Sequence, residues 1–170
     1  MKKNILSFTI FGFISGNLSL LCFALSPESN KPYEMIMGYA PGLIFGVTIS
    51  ILLFIFYRRN LLFHFIFILI SAGAYEMALR VFSFYFDTTN GNQSLFMAGL
   101  AGILILVCAL RFFYNLSIKS MIIVVIVGSL SGVPNPDVFR IFPIWQTAVA
   151  VAIWYAVNES ERVGHNKLVT

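Results

Sequence analysis

What most constrains this chain is a series of long runs that are apolar on every side, divided by short polar breaks. The runs cover residues 5–25, 39–57, 61–80, 95–113, 116–133 and 138–157. A helix needs about 20 mostly apolar residues to cross the hydrocarbon of a bilayer. A helix that is apolar all round has no face to offer water, so it belongs in a protein core or in lipid. Membrane-barrel strands would alternate apolar and polar residues, which these runs do not do. A helix also satisfies its own backbone hydrogen bonds, as a chain in lipid must. The expected fold is therefore an all-α integral membrane protein. It is a single bundle of six transmembrane helices followed by a polar tail, residues 158–170. The breaks agree with this: Arg58-Arg59-Asn60, the polar stretch from Asp87 to Ser94, and the turn signal Pro134-Asn135-Pro136-Asp137.

Composition excludes the competing classes. Hydrophobic residues make up 59 % of the chain and charged residues only 11 %, against about 25 % charged in an ordinary soluble domain. So few charges cannot coat a soluble surface, keep a chain disordered or form a nucleic-acid footprint. The net charge of +4 reads as topology, because cytoplasmic loops collect Lys and Arg. With the N-terminus inside, Lys2, Lys3, Arg58, Arg59, Arg111, Lys119, Arg162 and Lys167 fall on the inner side and Lys31 and Arg140 on the outer, while Arg80 lies within or at the end of the third run. Both termini are thus expected in the cytoplasm. Short connections and a Phe- and Ile-rich composition fit a bacterial inner membrane. The first run has a rival reading as a cleavable signal peptide, since Lys2-Lys3 and an apolar stretch precede Cys22-Phe23-Ala24. Its apolar stretch exceeds the usual 7–15 residues of such a segment, and retention as a span is the expectation.

Between helices in lipid, small residues that allow close approach are the packing signal. Gly38, Gly42, Gly46 and Ser50 repeat every four residues along the second run and form one smooth stripe, expected to pack within the bundle or to pair two copies. Gly12 and Gly16, Ala98 and Gly102, Gly128 and Gly132, and Ala148, Ala152 and Ala156 mark lesser seams. Pro41 and Pro143 are expected in the first turn of their helices, where a missing N–H does no harm. Residues 15–22 and 101–108 echo one another faintly, as an inverted repeat of the transporter kind would.

Ionisable groups inside membranes are costly and mark candidate sites. Glu76 and Arg80 stand one helical turn apart in the third run, in the favourable order. At 1.5 Å per residue Glu76 lies about 22 Å from the inner boundary at Leu61. Arg140 and Gln146 in the last run belong to the same outer half. These four residues form the candidate polar binding locus, read either as a structural ion pair or as an outward-facing site for a solute, ion or proton. His64, near the inner boundary, reads as an interfacial side chain. No second ligand at its depth completes a metal site, and Cys22 and Cys108 lack metal-ligand spacing. Enzyme motifs such as Gly-x-Ser-x-Gly, His-Glu-x-x-His and the phosphate-binding loop do not occur.

Two function classes follow. The first is a non-catalytic membrane component or accessory subunit, with the bilayer and a second copy or another membrane protein as partners, and no cofactor, metal or nucleic acid. The alternative is a small-solute or ion transporter or channel built around Glu76 and Arg80. A continuous cavity through the polar locus would favour transport, and a sealed core with a paired Glu76 the first.

Overall fold

The computed structural model describes residues 3–24, 31–57, 60–86, 91–131 and 138–166, and side chains within 5–22, 39–57, 60–85, 92–131 and 142–163. Every regular element among them is helical: α1 (Lys3–Ala24), α2 (Lys31–Tyr57), α3 (Leu61–Phe86), α4 (Gly91–Tyr114), α5 (Ile118–Leu130) and α6 (Val138–Asn166). Four of these, α1 to α4, are long and apolar enough to cross a membrane. α5 is a shorter apolar helix, about 20 Å long at 1.5 Å per residue. α6 carries an apolar face and continues through the more polar segment beyond Val157.

Each helix packs on its neighbour in sequence, and α6 closes the ring against α1. Large apolar side chains fill the middle: Phe45, Ile49 and Leu53 from α2, Phe67 from α3, Ile103 and Leu110 from α4, and Val149 and Ile153 from α6 are all almost fully buried. The outer surface also carries many large apolar side chains. Phe112 is 84 % exposed and Leu61 73 %, an arrangement suited to lipid and unsuited to water.

Close approach of the helices rests on small residues. A Cβ on Gly42 would lie 2.6 Å from the Ser71 carbonyl oxygen and 2.8 Å from Ala72 Cα, and one on Gly46 would lie 2.9 Å from Ser71 Cβ. The α2 stripe thus faces α3, with Ser50 also buried and donating to the His64 carbonyl at 3.4 Å. Gly38 falls outside the residues whose surroundings are described. On α1, a Cβ on Gly12 would lie 2.9 Å from Ala150 Cβ and from Thr147 Cα of α6, and one on Gly16 would run into the Pro143 backbone. Gly102 faces Ala74 and Ala78 of α3, and Gly128 faces Ile103 of α4.

The prolines lie elsewhere than the sequence suggested. α2 begins at Lys31, so Pro41 sits in its interior, and Pro143 lies in the second turn of α6. The polar lead-in that looked like a loop before Tyr39 is helical and carries α2 past its proline. Both prolines are buried. Pro143 presents the backbone on which Gly16 rests, so its ring is accommodated where two helices touch.

At the α4–α5 connection the chain reverses through Asn115, whose φ of 52° is left-handed. Asn tolerates that conformation better than other side chains. Its N–H still reaches the Arg111 carbonyl at 3.1 Å. Ser117 then caps α5 by accepting from the Ser120 N–H at 3.1 Å, one of the donors that a helix start leaves unsatisfied.

Candidate functional site

A fully buried polar side chain stands on α6. Gln146 has no exposed surface, and neither do Ser15 and Ser19, which face it from α1 one turn apart. The Ser15 hydroxyl donates to Gln146 Oε1 at 2.5 Å, and Gln146 Nε2 donates to Ser19 Oγ at 2.9 Å. Ser19 in turn donates to the Ser15 carbonyl at 2.9 Å. An amide in an apolar interior is expensive unless both its ends are partnered. Here each end finds a serine, and the cluster ties α1 to α6 at the seam that Gly12 and Gly16 also form. Polar side chains that bond across helices are one of the few cohesive forces left in lipid.

Beside Gln146 the ring's axis is nearly filled. Phe45 and Trp145 meet across it, tilted to one another with ring centroids 6.0 Å apart, and Trp145 Nε1 donates to the Gly128 carbonyl of α5 at 2.7 Å. A void of about 10 Å³ remains between Gly42, Ser71, Tyr75, Trp145 and Gln146. That is about the space one water molecule requires. Ser71 spends its hydroxyl on the Gly42 carbonyl at 2.8 Å.

The locus expected from sequence is divided. Arg80 Nε meets Glu76 Oε1 at 2.9 Å within α3, and the Arg80 side chain is 72 % exposed against 23 % for Glu76. The pair stands on the outer face of α3, in line with Gly73, whose Cβ position is open space. Gln146 belongs instead to the α1–α6 seam. Arg140 lies in the first turn of α6 and its side chain falls outside those described. His64 is buried with its ring edge-on to Phe54 and Phe63, at 5.5 and 4.9 Å.

A second polar cluster, which the sequence reading missed, closes the opposite end. The Glu159 carboxylate of α6 accepts from Ser120 and, at 3.5 Å, from Ser117 at the start of α5. Ser160 donates to the Tyr114 carbonyl, and Arg111 to that of Leu116. The last turn of α4, the C-terminal third of α6 and the first turn of α5 are thereby joined. Glu159 looked like part of a solvated tail because it follows the last apolar residue. Its signal was the spacing that keeps it in helical register with the buried Ala152 and Ala156. Among the described residues no group of three or more His, Cys, Asp or Glu could hold a metal ion.

This geometry defines a class: an all-helical protein of the membrane, with several helices suited to crossing it. Comparison with known protein families, with curated proteins and with solved structures finds no match to the chain.

Proposed function

We propose that this is a non-catalytic component of a bacterial inner membrane, a compact six-span protein that works through its outer surface and its partners, with both termini in the cytoplasm. One observation carries the reading: among the described residues the centre of the helix ring is closely packed. Its remaining void has room for about one water, and the only intramembrane carboxylate among the described residues is held by Arg80 on the outside of the ring. A pathway for a solute would need polar groups lining a continuous opening, whereas Gln146 spends its amide on Ser15 and Ser19. The basic residues Arg111, Lys119 and Arg162 share one end of the bundle, as cytoplasmic ends do.

Two measurements test this. Purified protein in vesicles should pass protons, potassium and small solutes no faster than empty vesicles do. Flux that Glu76→Gln removes would replace this reading with a transporter. Cysteines introduced at Asn92 and Asn60 test the topology: an impermeant maleimide applied outside cells should label the first and spare the second, and the reverse pattern would overturn the orientation.

A further inference from the structure

Two sides of α3 are taken up within the bundle. Gly42 and Gly46 of α2 pack on its Ser71 side, and Gly102 of α4 packs on Ala74 and Ala78. On the remaining side Leu62, Phe65, Leu69, Met77 and Phe84 are exposed, and a Cβ on Gly73 would meet nothing within 4 Å. Their spacing of three and four residues makes one continuous face, about 33 Å long at 1.5 Å per residue. That is enough to cross a hydrocarbon core about 30 Å thick.

This face carries the ion pair of Glu76 and Arg80. The stretch of α3 apolar enough to cross a membrane runs from Leu61 to Tyr85, and Glu76 lies about 22 Å from one end and about 14 Å from the other. Charged groups at such depth almost always face a bundle interior or water, whereas the Arg80 side chain is 72 % exposed on the outer face. A basic side chain near a helix end ordinarily reaches for the nearer surface. Arg80 does the reverse: its Nε is drawn one turn deeper, to Glu76 Oε1 at 2.9 Å. That contact is made at a single point. A guanidinium has five N–H donors, and a carboxylate accepts at both oxygens. The Arg80 Nη donors and Glu76 Oε2 thus have no partner among the described residues, on a side that lipid would otherwise cover.

We infer that this face of α3 is the interface with a second copy of the chain. Charge complementarity commits it to that occupant. Copies inserted by the same charge rule present α3 in parallel, and a two-fold axis along the membrane normal sets the same patch against itself. Each Arg80 side chain leans toward its helix N-terminus, to the depth of Glu76. Each guanidinium then comes between two carboxylates, its own through Nε and the second copy's through Nη, and the four charges close a ring that neutralises itself. A lipid headgroup lies at the membrane surface and cannot answer both signs at that depth. Gly73, one turn before Glu76, lets the two helices approach closely, as small residues do in lipid. The assignment rests on the membrane reading above and names the partner that reading calls for.

Cysteine cross-linking in the membranes of expressing cells tests it, in the full-length chain with Cys22→Ser and Cys108→Ser. Oxidation should link Leu69→Cys into dimers and leave Ile122→Cys, exposed on α5, monomeric. Glu76→Lys and Arg80→Glu, each expressed alone, should abolish the Leu69→Cys dimer. Expressed together under different tags they should restore it as a mixed dimer, because four like charges become two of each sign. Gly73→Leu should also break the dimer, yet unfold in sodium dodecyl sulfate no earlier than the wild type, since within one copy its Cβ meets nothing. For Glu76→Gln/Arg80→Gln the dimer dissociation constant, read by energy transfer in phosphatidylcholine vesicles, should rise about tenfold, about threefold for each of two lost bonds between membrane helices. Absence of the Leu69→Cys dimer, equal linking through Ile122→Cys, or charge variants that stay apart when mixed overturns the assignment. Leu69→Cys linked to a different membrane protein overturns the second copy as occupant. Solute flux from an intact dimer would overturn the function proposed above and leave this interface standing; a monomer that passes no solute would do the reverse.

Discussion

Gly42→Ala adds one methyl group at the tightest part of the α2–α3 contact. The new carbon would sit 2.6 Å from the Ser71 carbonyl oxygen, 2.7 Å from Tyr75 Cβ and 2.8 Å from Ala72 Cα. Two of these neighbours are backbone and cannot rotate away. Comfortable carbon contacts begin at about 3.5 Å, so the helices must part by about 0.8 Å. Overpacking of this kind costs about 1–3 kcal/mol. The same displacement stretches the 2.8 Å bond from Ser71 to the Gly42 carbonyl beyond useful length, losing about 0.6 kcal/mol. Against this, Ala is favoured over Gly in a helix by about 0.8–1.0 kcal/mol. The net is a destabilisation of roughly 1–3 kcal/mol. Gly73 on α3 supplies the control, because a Cβ there meets nothing within 4 Å; Gly73→Ala should be neutral or stabilise by up to about 1 kcal/mol. Unfolding by sodium dodecyl sulfate in mixed micelles, followed by tryptophan fluorescence, measures both. If Gly42→Ala unfolds at or above the wild-type midpoint, or if Gly73→Ala is destabilised as much, the packing argument is wrong.

A double-mutant cycle on Ser15→Ala and Gln146→Leu should show a favourable coupling of about 0.6–1.7 kcal/mol, the range found for hydrogen bonds between membrane helices; additive single effects would show that the pair does not hold α1 to α6. Arg80→Ala should lower the unfolding midpoint more than Glu76→Gln, because it strands an anion while Gln can still accept from Arg80. Both effects should be small beside Gly42→Ala, since Arg80 is 72 % exposed and such pairs contribute about 0–1 kcal/mol; the opposite ranking would show that Glu76 has a partner other than Arg80.

The helices themselves were legible because run length and all-round apolarity are written locally. The smooth row of Gly42 and Gly46 was legible for the same reason: an i, i+4 row of small residues has to lie on one face. Which neighbour that face meets is not local. Gln146 shows the difference. Its depth in the last run was evident from spacing, but pairing it with Arg140 and Glu76 assumed that residues at one depth meet. The ring order sends the α6 face bearing Gln146 to α1, and the α3 face bearing Glu76 outward. Ser15 and Ser19 flank Gly16 in the first run, and their value as hydrogen-bond partners appears only with α6 lying beside them. The prolines were misjudged because the polar residues before Tyr39 read as a loop, although a helix end at the membrane surface tolerates Lys31 and Glu34 readily.

α1 supplies a further test, because the signal-peptide reading and the packing of this helix make opposite demands. A cleavable segment should be dispensable to the fold it leaves behind. Here Phe8 is fully buried in the common core, and Gly12, Ser15, Gly16 and Ser19 all turn toward α6. Removing α1 would strip the Gln146 amide of both its partners, and an unsatisfied buried amide costs about 1–3 kcal/mol. It would also open the ring at the seam where Gly16 lies against Pro143, leaving a trough that lipid tails fill less well than a fitted helix. Intact-mass measurement of the purified protein should therefore include residues 1–24, and a form engineered to begin after Ala24 should be recovered in lower yield and unfold earlier in sodium dodecyl sulfate. A native mass lacking those residues, with the shortened protein as stable as the full chain, would show that α1 is not part of the bundle.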